Sequence, residues 1–383
     1  MLKVYLHMYL PRTEETECYG LLNSKEAIAF IGPRRAGKTT LAKRMLELWL
    51  EKNQNGYYLD LEKVNAPKNV KELQKLIHKE VKEGGLIVLD EIQNIKDWYK
   101  VVREEIEYER RKIIITGSSA SLMSKEIATS MAGRAFPITI LPLSFKDAIN
   151  WGITSLDQYL EVGGYPECVM RPLDASRLHK TYLELAVLRD VAVRNNIRDT
   201  KSLSDLALII LSEPGKVISS KKTSEMLNIS QPTFRSYVQH LNDAYLVLSV
   251  APYLHSPKQK IIADAKHYAY DTGIQNSVTI SNQADYGRRI ENVIAIELIR
   301  RGYSIYYLKT EEGECDFIAK KLGEKTLAIQ IYSGNEPLPE REIKGLNLGV
   351  KLANAEPLLL VKNIGTVQGI KIKVKKIEEW LLS

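Results

Sequence analysis

The sequence predicts an α/β protein whose first part is a parallel sheet with helices on both faces. Three observations lead there. Five short apolar runs recur over the first 150 residues. Helical patterns separate them, and strands alternating with helices build parallel sheets. Three of the runs end in polar turns, and in such sheets ligands bind beyond the carboxyl ends of the strands. In order, Ala27 to Ile31 is a strand that ends in GPRRAGKTT, and a helical pattern follows through Leu50. Tyr57 to Leu61 is the second strand, and Val70 to Val81 is amphipathic. Leu86 to Leu89 is the third strand, ending in Asp90-Glu91, before a polar helix from Trp98 to Arg110. Ile113 to Ile115 is the fourth, ending in Thr116-Gly117-Ser118-Ser119. A helix then runs towards Arg134, and Pro137 to Leu141 is the fifth strand.

A chain of 383 residues holds two or three domains, each able to bury a core. Hydrophobic residues at 44% and charged residues at 26% exclude a mainly disordered, collagen-like or coiled-coil chain. The apolar runs fall far short of the ~20 residues of a membrane span, so no membrane partner is expected. The N-terminus MLKVYLHMYLPRTEE lacks the small-residue cleavage site of a secretory signal. Cys18, Cys168 and Cys315 are scattered without metal spacing or a disulfide framework, so a cytoplasmic protein is expected. The balance of 54 basic and 47 acidic residues gives a net +7, which permits a polyanionic partner without requiring one.

The strongest chemical signal is Gly32-Pro-Arg-Arg-Ala-Gly37-Lys38-Thr39, which matches GxxxxGK[ST] at every fixed position. Its glycines let backbone N–H groups turn inward onto phosphate oxygens, and the next helix adds its positive N-terminus. Lys38 reaches the β- and γ-phosphates and Thr39 offers its hydroxyl to Mg²⁺. Gly32, Arg35, Ala36, Gly37 and Thr40 complete the expected nucleotide-binding set. Asp90 ends a buried strand and holds the Mg²⁺, while Glu91 polarises the attacking water. Ser118, with Thr116, lies where a polar residue orients that water, although a polar strand-to-loop turn explains either residue alone. Arg134 supplies charge to the γ-phosphate in cis or across a subunit boundary, the latter implying an oligomer; the alternative is a surface arginine at a helix end.

GPRRAGKTT, LIVLDEIQNIKDW, IIITGSSASLMSKEIATSMAGR and LPLSF, in that order, resemble the AAA-type ATPases of archaea and bacteria that carry a C-terminal domain of uncharacterised function. The resemblance implies an ATPase that uses ATP and Mg²⁺. Tyr159-Leu-Glu-Val-Gly-Gly-Tyr-Pro166 resembles the signal-transducing STAND branch, where a proline relays nucleotide state to a helical lid; Pro166 is the matching residue. Similar sequences often carry an acidic residue shortly after the Gly-Arg pair, where Pro137 stands here.

Helices at Ser204 to Leu211, Lys221 to Leu227 and Gln231 to Ala244 predict a winged helix-turn-helix, with wing strands at Leu246 to Val250 and in the run after Pro252. Thr233, Arg235, Ser236, Gln239 and His240 face outward on the third helix. Only Arg235 among them is strongly cationic, so DNA contact and protein docking stay open. From Arg288 the order helix–strand–strand–strand–helix–strand looks like the restriction-endonuclease-like fold. Glu291 and Asp316 match two of its metal-binding acids, but Gln330-Ile-Tyr332 stands where an acid–x–lysine belongs. Glu314, Lys309 and Lys320 are substitutes without positional support.

The expected architecture is a P-loop NTPase parallel sheet over 1–150, a helical lid or linker over 151–200, a winged helix over 201–270 and a small restriction-endonuclease-like α/β module over 271–383. The expected function is an ATPase whose nucleotide state controls the C-terminal arm, which binds DNA or a protein. The rivals are an ATP-gated nuclease using Glu291 and Asp316, and a regulator that hydrolyses little.

Overall fold

A computed structural model describes residues 9–117, 129–254, 256–279, 286–367 and 372–383. The chain divides into two compact units: residues up to Leu143 with Asp243–Tyr245, and Ser144–Asn242 with Leu246–Ser383.

The first unit is built on β1 (Ala27–Ile31), β2 (Gly56–Asp60), β3 (Leu86–Asp90), β4 (Lys112–Thr116) and β5 (Ala135–Thr139), all parallel, in the order β2-β3-β4-β1-β5. Every residue of β1, β3 and β4 is buried, as a parallel strand covered on both faces demands. Alternate residues feed two cores. Ala29, Ile87, Leu89, Ile113 and Ile115 pack with Leu73 and Ile77 of α3 (Val70–Glu80) and Val102 of α4 (Tyr99–Glu107). Phe30, Val88 and Ile114 pack on the other face with Leu41, Met45 and Leu46 of α2 (Lys38–Asn53) and Cys18 of α1 (Glu14–Gly20). Because β3, β4 and β1 are neighbours and parallel, the loops after all three open on the same edge.

Strand β5 starts two residues before the expected Pro137, because Ala27 pairs with Ala135. Pro137 is tolerated inside it because β5 is an edge strand. Helix α4 stops short of Arg110, where Glu109 adopts φ +51. The helix expected to run towards Arg134 lies mostly outside the described residues.

The second unit opens with α5 (Phe145–Asn150), α6 (Leu156–Val162), α7 (Pro166–Met170) and α8 (Ala175–Leu185), the last continuing as a π-type segment over Ala186–Val193. Helices α9 (Thr200–Ser212), α10 (Ser220–Met226) and α11 (Gln231–Asp243) follow. A serine caps the third: the Thr233 N–H donates to Ser230 Oγ at 3.1 Å. Strand β6 (Val247–Val250) pairs antiparallel with β7 (Lys266–Ala269). The run after Pro252 is therefore not the second wing strand. Tyr253 N–H instead donates to Tyr307 O at 2.7 Å, and α12 (Pro257–Ile262) then intervenes.

After α13 (Thr272–Val278) and α14 (Tyr286–Arg300) comes a mixed sheet, β12-β11-β10-β9-β8. Its strands are β8 (Ser304–Lys309), β9 (Glu314–Lys320), β10 (Leu327–Tyr332), β11 (Glu356–Val361) and β12 (Val374–Lys376). The first three are antiparallel and the last two add in parallel to β10. Leu346 of α15 (Glu340–Ala353) packs with Cys315, Ala328 and Leu359 of this sheet, and α16 (Ile377–Leu382) ends the chain. Among the described residues no helix is long and apolar enough to cross a membrane.

Candidate functional site

The loop after β1 is shaped by backbone that few residues adopt. Gly32 has φ +136, and a Cβ there would lie 2.2 Å from Ile140 O. Arg35 and Gly37 also have positive φ, and Gly37 leads directly into α2. Lys38, only 5% exposed, folds across its own loop, where Nζ donates to Gly32 O at 2.9 Å and Pro33 O at 2.7 Å. The start of a 16-residue helix thus faces the loop, and the N–H groups of a helix's first turn lack acceptors within the helix, an arrangement suited to phosphate. Ala36 is buried, while Arg35 and Thr40 are exposed.

Thr39 Oγ1 donates to the Asp90 carboxylate at 3.0 Å, joining two motifs 51 residues apart. Asp90 also accepts from Thr116 Oγ1 and, at 2.5 Å, from Tyr58 OH on the neighbouring β2. Burial pushes the Tyr58 phenol up, and the Asp90 hydrogen bond adds to the shift, so Tyr58 stays a donor. Glu91 sits at φ +56; its N–H donates to Thr116 Oγ1 at 3.1 Å and its carboxylate accepts from Gln93 Nε2. A threonine hydroxyl and a carboxylate side by side form a hard oxygen set of the kind Mg²⁺ takes, so the residues present fit that ion.

Sequence reasoning missed three residues here. Arg12 donates to Ala36 O at 2.7 Å and Leu141 O at 2.8 Å, fastening the loop to the segment after β5. Tyr58 could have been suspected as a hydroxyl on a strand, but only the pairing of β2 with β3 singles it out from Tyr57. Gln93 had only its spacing from Glu91 as a signal.

One expected site residue is not described, and another stands away from the loop. Ser118 lies outside the described residues. Arg134 precedes β5, its carbonyl accepting the Ala27 N–H at the amino end of β1. The phosphate loop leaves the other end of β1, about 13 Å away by four rises of a parallel strand. Arg134 pairs there with Glu107 at 3.0 Å.

In the second unit, Gly163 (φ +75) and Gly164 wrap the Asp271 carboxylate. The Gly164 N–H donates to it at 2.6 Å, and a Cβ on Gly163 would come within 2.2 Å of Oδ1. Asp271 also caps α13 through the Gly273 and Ile274 N–H groups, and Pro166 begins α7. The expected outward residues of α11 are mixed: Arg235, Ser236 and Gln239 are exposed, Thr233 and His240 half-buried.

Glu291 and Asp316 do come together, on α14 and β9, but around a residue absent from the expected set. Lys266 of β7, 3% exposed, lies 3.2 Å from Glu291 Oε1 and 2.7 Å from Glu314 Oε1. Burial alone would lower its pKa, but Glu291, Asp316 and Glu314 outweigh it and hold the ammonium's pKa up. Burial pushes the Asp316 carboxyl well up, and the Glu291 charge adds to this. Of the suggested substitutes, Glu314 belongs to this group, Lys309 pairs only with its other oxygen at 3.1 Å, and Lys320 lies over the Tyr253 ring.

The family description "AAA domain" matches residues 24–149, and "Domain of unknown function (DUF8612)" matches residues 153–285. An uncharacterized protein of Haemophilus influenzae is 31% identical over 326 residues, covering 78% of this chain and 80% of its own. An uncharacterized protein of Methanocaldococcus jannaschii is 33% identical over 301 residues, covering 71% of this chain and 66% of its own. Among solved structures, a Walker-type ATPase of Pyrococcus abyssi overlaps 70% of this chain and 96% of its own, at a TM-score of 0.46 and 15% identity.

Proposed function

The chain belongs to the family of its uncharacterized Haemophilus influenzae relative and carries an AAA domain over residues 24–149, and from that premise we propose a Mg²⁺-dependent ATPase whose nucleotide state controls the arm formed by the second unit. The contact of Thr39 with Asp90 carries this reading, because it joins the phosphate loop to the acidic strand end. Gly32, Arg35, Ala36, Gly37 and Thr40 line the phosphate and ribose side of the nucleotide. Lys38 leaves its loop carbonyls to balance the β- and γ-phosphate charge. Thr39 and Asp90 would hold Mg²⁺, which when bound neutralises phosphate charge. Glu91 accepts the proton of the attacking water, and Ser118 orients that water. Arg134, set at the far end of the sheet from its own loop, acts across a subunit boundary. The three cysteines are buried free thiols, as suits the reducing cytoplasm.

Helices α9 to α11 with β6 and β7 have the order of a winged helix, and α14 to β11 the order of a nuclease-like fold. These support an arm that binds DNA or a protein. Gln330 in place of the third acid argues against cutting.

Lys38→Ala abolishes ATP binding, and Glu91→Gln keeps binding while cutting turnover at least ~100-fold, the scale of one positioned base. Equilibrium nucleotide binding and single-turnover hydrolysis check both. Unchanged affinity in Lys38→Ala removes the core of the reading.

A further inference from the structure

The nuclease-like order of the second unit implies a divalent metal between Glu291 and Asp316, and the residues present do not fit one. Among the described residues no group of three or more His, Cys, Asp or Glu is arranged to hold a metal. The carboxylates that would ligate it already accept from protein donors. Glu291 Oε1 accepts from Lys266 Nζ and, at 2.6 Å, from Tyr268 OH. Asp316 Oδ2 accepts the Ile331 N–H at 2.8 Å. Glu314 bridges Lys266 and Lys309. Gln330, at the third-acid position, puts its amide on Glu342 at 2.7 Å and its carbonyl towards the Asp316 N–H at 3.4 Å.

We propose that Lys266 is a built-in cation occupying the place of the metal, so that the acidic cluster of the second unit is closed to divalent ions. The proposal rests on the nuclease-like reading of this unit but not on the nucleotide site. Geometry favours it. A lysine that merely assists a metal approaches the site from the strand that carries the third acid. Lys266 comes instead from β7, outside the five-stranded sheet, and inserts between the carboxylates of α14 and β9. Its stem is fixed as well: β7 pairs Lys266 with Val250, and Nζ stands 5.6 Å from the centre of the Tyr307 ring. A metal would have to expel a buried ammonium that two carboxylates hold, and breaking an ion pair around a buried charge is strongly destabilising. The ammonium satisfies the same charge without coordination geometry, so the unit keeps the fold of a hydrolase around a site that activates no water.

Removing the lysine should reopen the site. The test uses the full chain carrying Asp90→Asn, without nucleotide, so that the first unit contributes no metal. Free Mn²⁺ is followed by electron paramagnetic resonance. We expect no saturable binding up to about 10 mM, beyond the ~10⁻³ M of the weakest oxygen-ligand sites. Adding Lys266→Met should create one Mn²⁺ site per chain, lost again with Asp316→Asn. Binding by the parent chain that Asp316→Asn abolishes overturns the proposal, and so does a folded Lys266→Met chain that takes no metal. Should Lys266→Met not fold, the ammonium itself decides. A slowly exchanging ¹⁵N signal from Lys266 Nζ, assigned by its absence from Lys266→Arg, supports the proposal if Mn²⁺ leaves it sharp and overturns it if Mn²⁺ broadens it. DNA cleavage on the same samples tests the nuclease-like reading separately.

Discussion

That Thr39 and Asp90 lie together was legible in the sequence, because each belongs to a short motif whose spacing is its chemistry. Arg12, Tyr58 and Lys266 were not, because each reaches its partners through pairings far apart in the chain: Arg12 meets Leu141 across 129 positions. Arg12 still matters to the site, since without it two loop carbonyls lose their donor, and a buried group left unsatisfied costs ~1–3 kcal/mol. His267 is a second case, readable only from its surroundings. It is buried beside Lys266, with Nδ1 2.9 Å from Ser249 Oγ, and burial lowers its pKa from 6.5 to about 4 although the Asp264 charge opposes this. The unfolded chain then binds a proton near pH 6.5 that the folded chain refuses until about pH 4. Stability of the second unit therefore holds above pH 6.5 and falls as the pH drops to about 4, by roughly 3 kcal/mol at most. Urea unfolding of wild type and His267→Asn across this range checks it: the variant should lack this part of the slope, and parallel curves would refute the assignment.

At the scale of elements, the strands buried on both faces were the easiest to read. AIAFI, LIVLD and KIIIT carry their burial in their composition, so β1, β3 and β4 stand within a residue of expectation. Strand β7 reads KHYA, and nothing in two polar residues announces that both are buried. Helix α12 stands in the run where a wing strand was expected, started by Ser256 as N-cap and Pro257 in its first turn. Strand β12 takes up the end of a run, Ile370 to Lys375, in which apolar residues alternate with lysines. It lies at the edge of its sheet, paired only with β11; Lys373 is exposed, Lys375 half-buried, and Lys371 lies outside the described residues. Charged edges prevent sheet-to-sheet pairing. Lys373→Val with Lys375→Val should therefore drive self-association, seen as a rising mass in sedimentation. An unchanged mass, together with a salt slope of DNA affinity flattened by about 1.8, would instead mean that the two lysines bind phosphates.

At the scale of the whole molecule, the claim that matters is that ATP in one unit changes the other. The resemblance that suggested Pro166 as a relay said nothing of how its element is held, because the holder, Asp271, lies more than a hundred residues away. That carboxylate binds the Gly164 N–H and caps α13 at once, so any displacement of the Gly163–Pro166 turn must be felt by α13. Glycine is required for this junction, since a side chain at 163 meets both a positive φ and the Asp271 oxygen. If nucleotide state travels by this route, ATP bound to the Glu91→Gln protein should change amide exchange in α7 and α13 together. In Gly163→Ala the junction is forced apart, so the ATP-dependent change in α13 should vanish while the chain still binds ATP. Exchange in α13 that ignores ATP in the Glu91→Gln protein would leave the two units uncoupled along this path and take the control of the arm out of the proposed function, with the ATPase itself untouched.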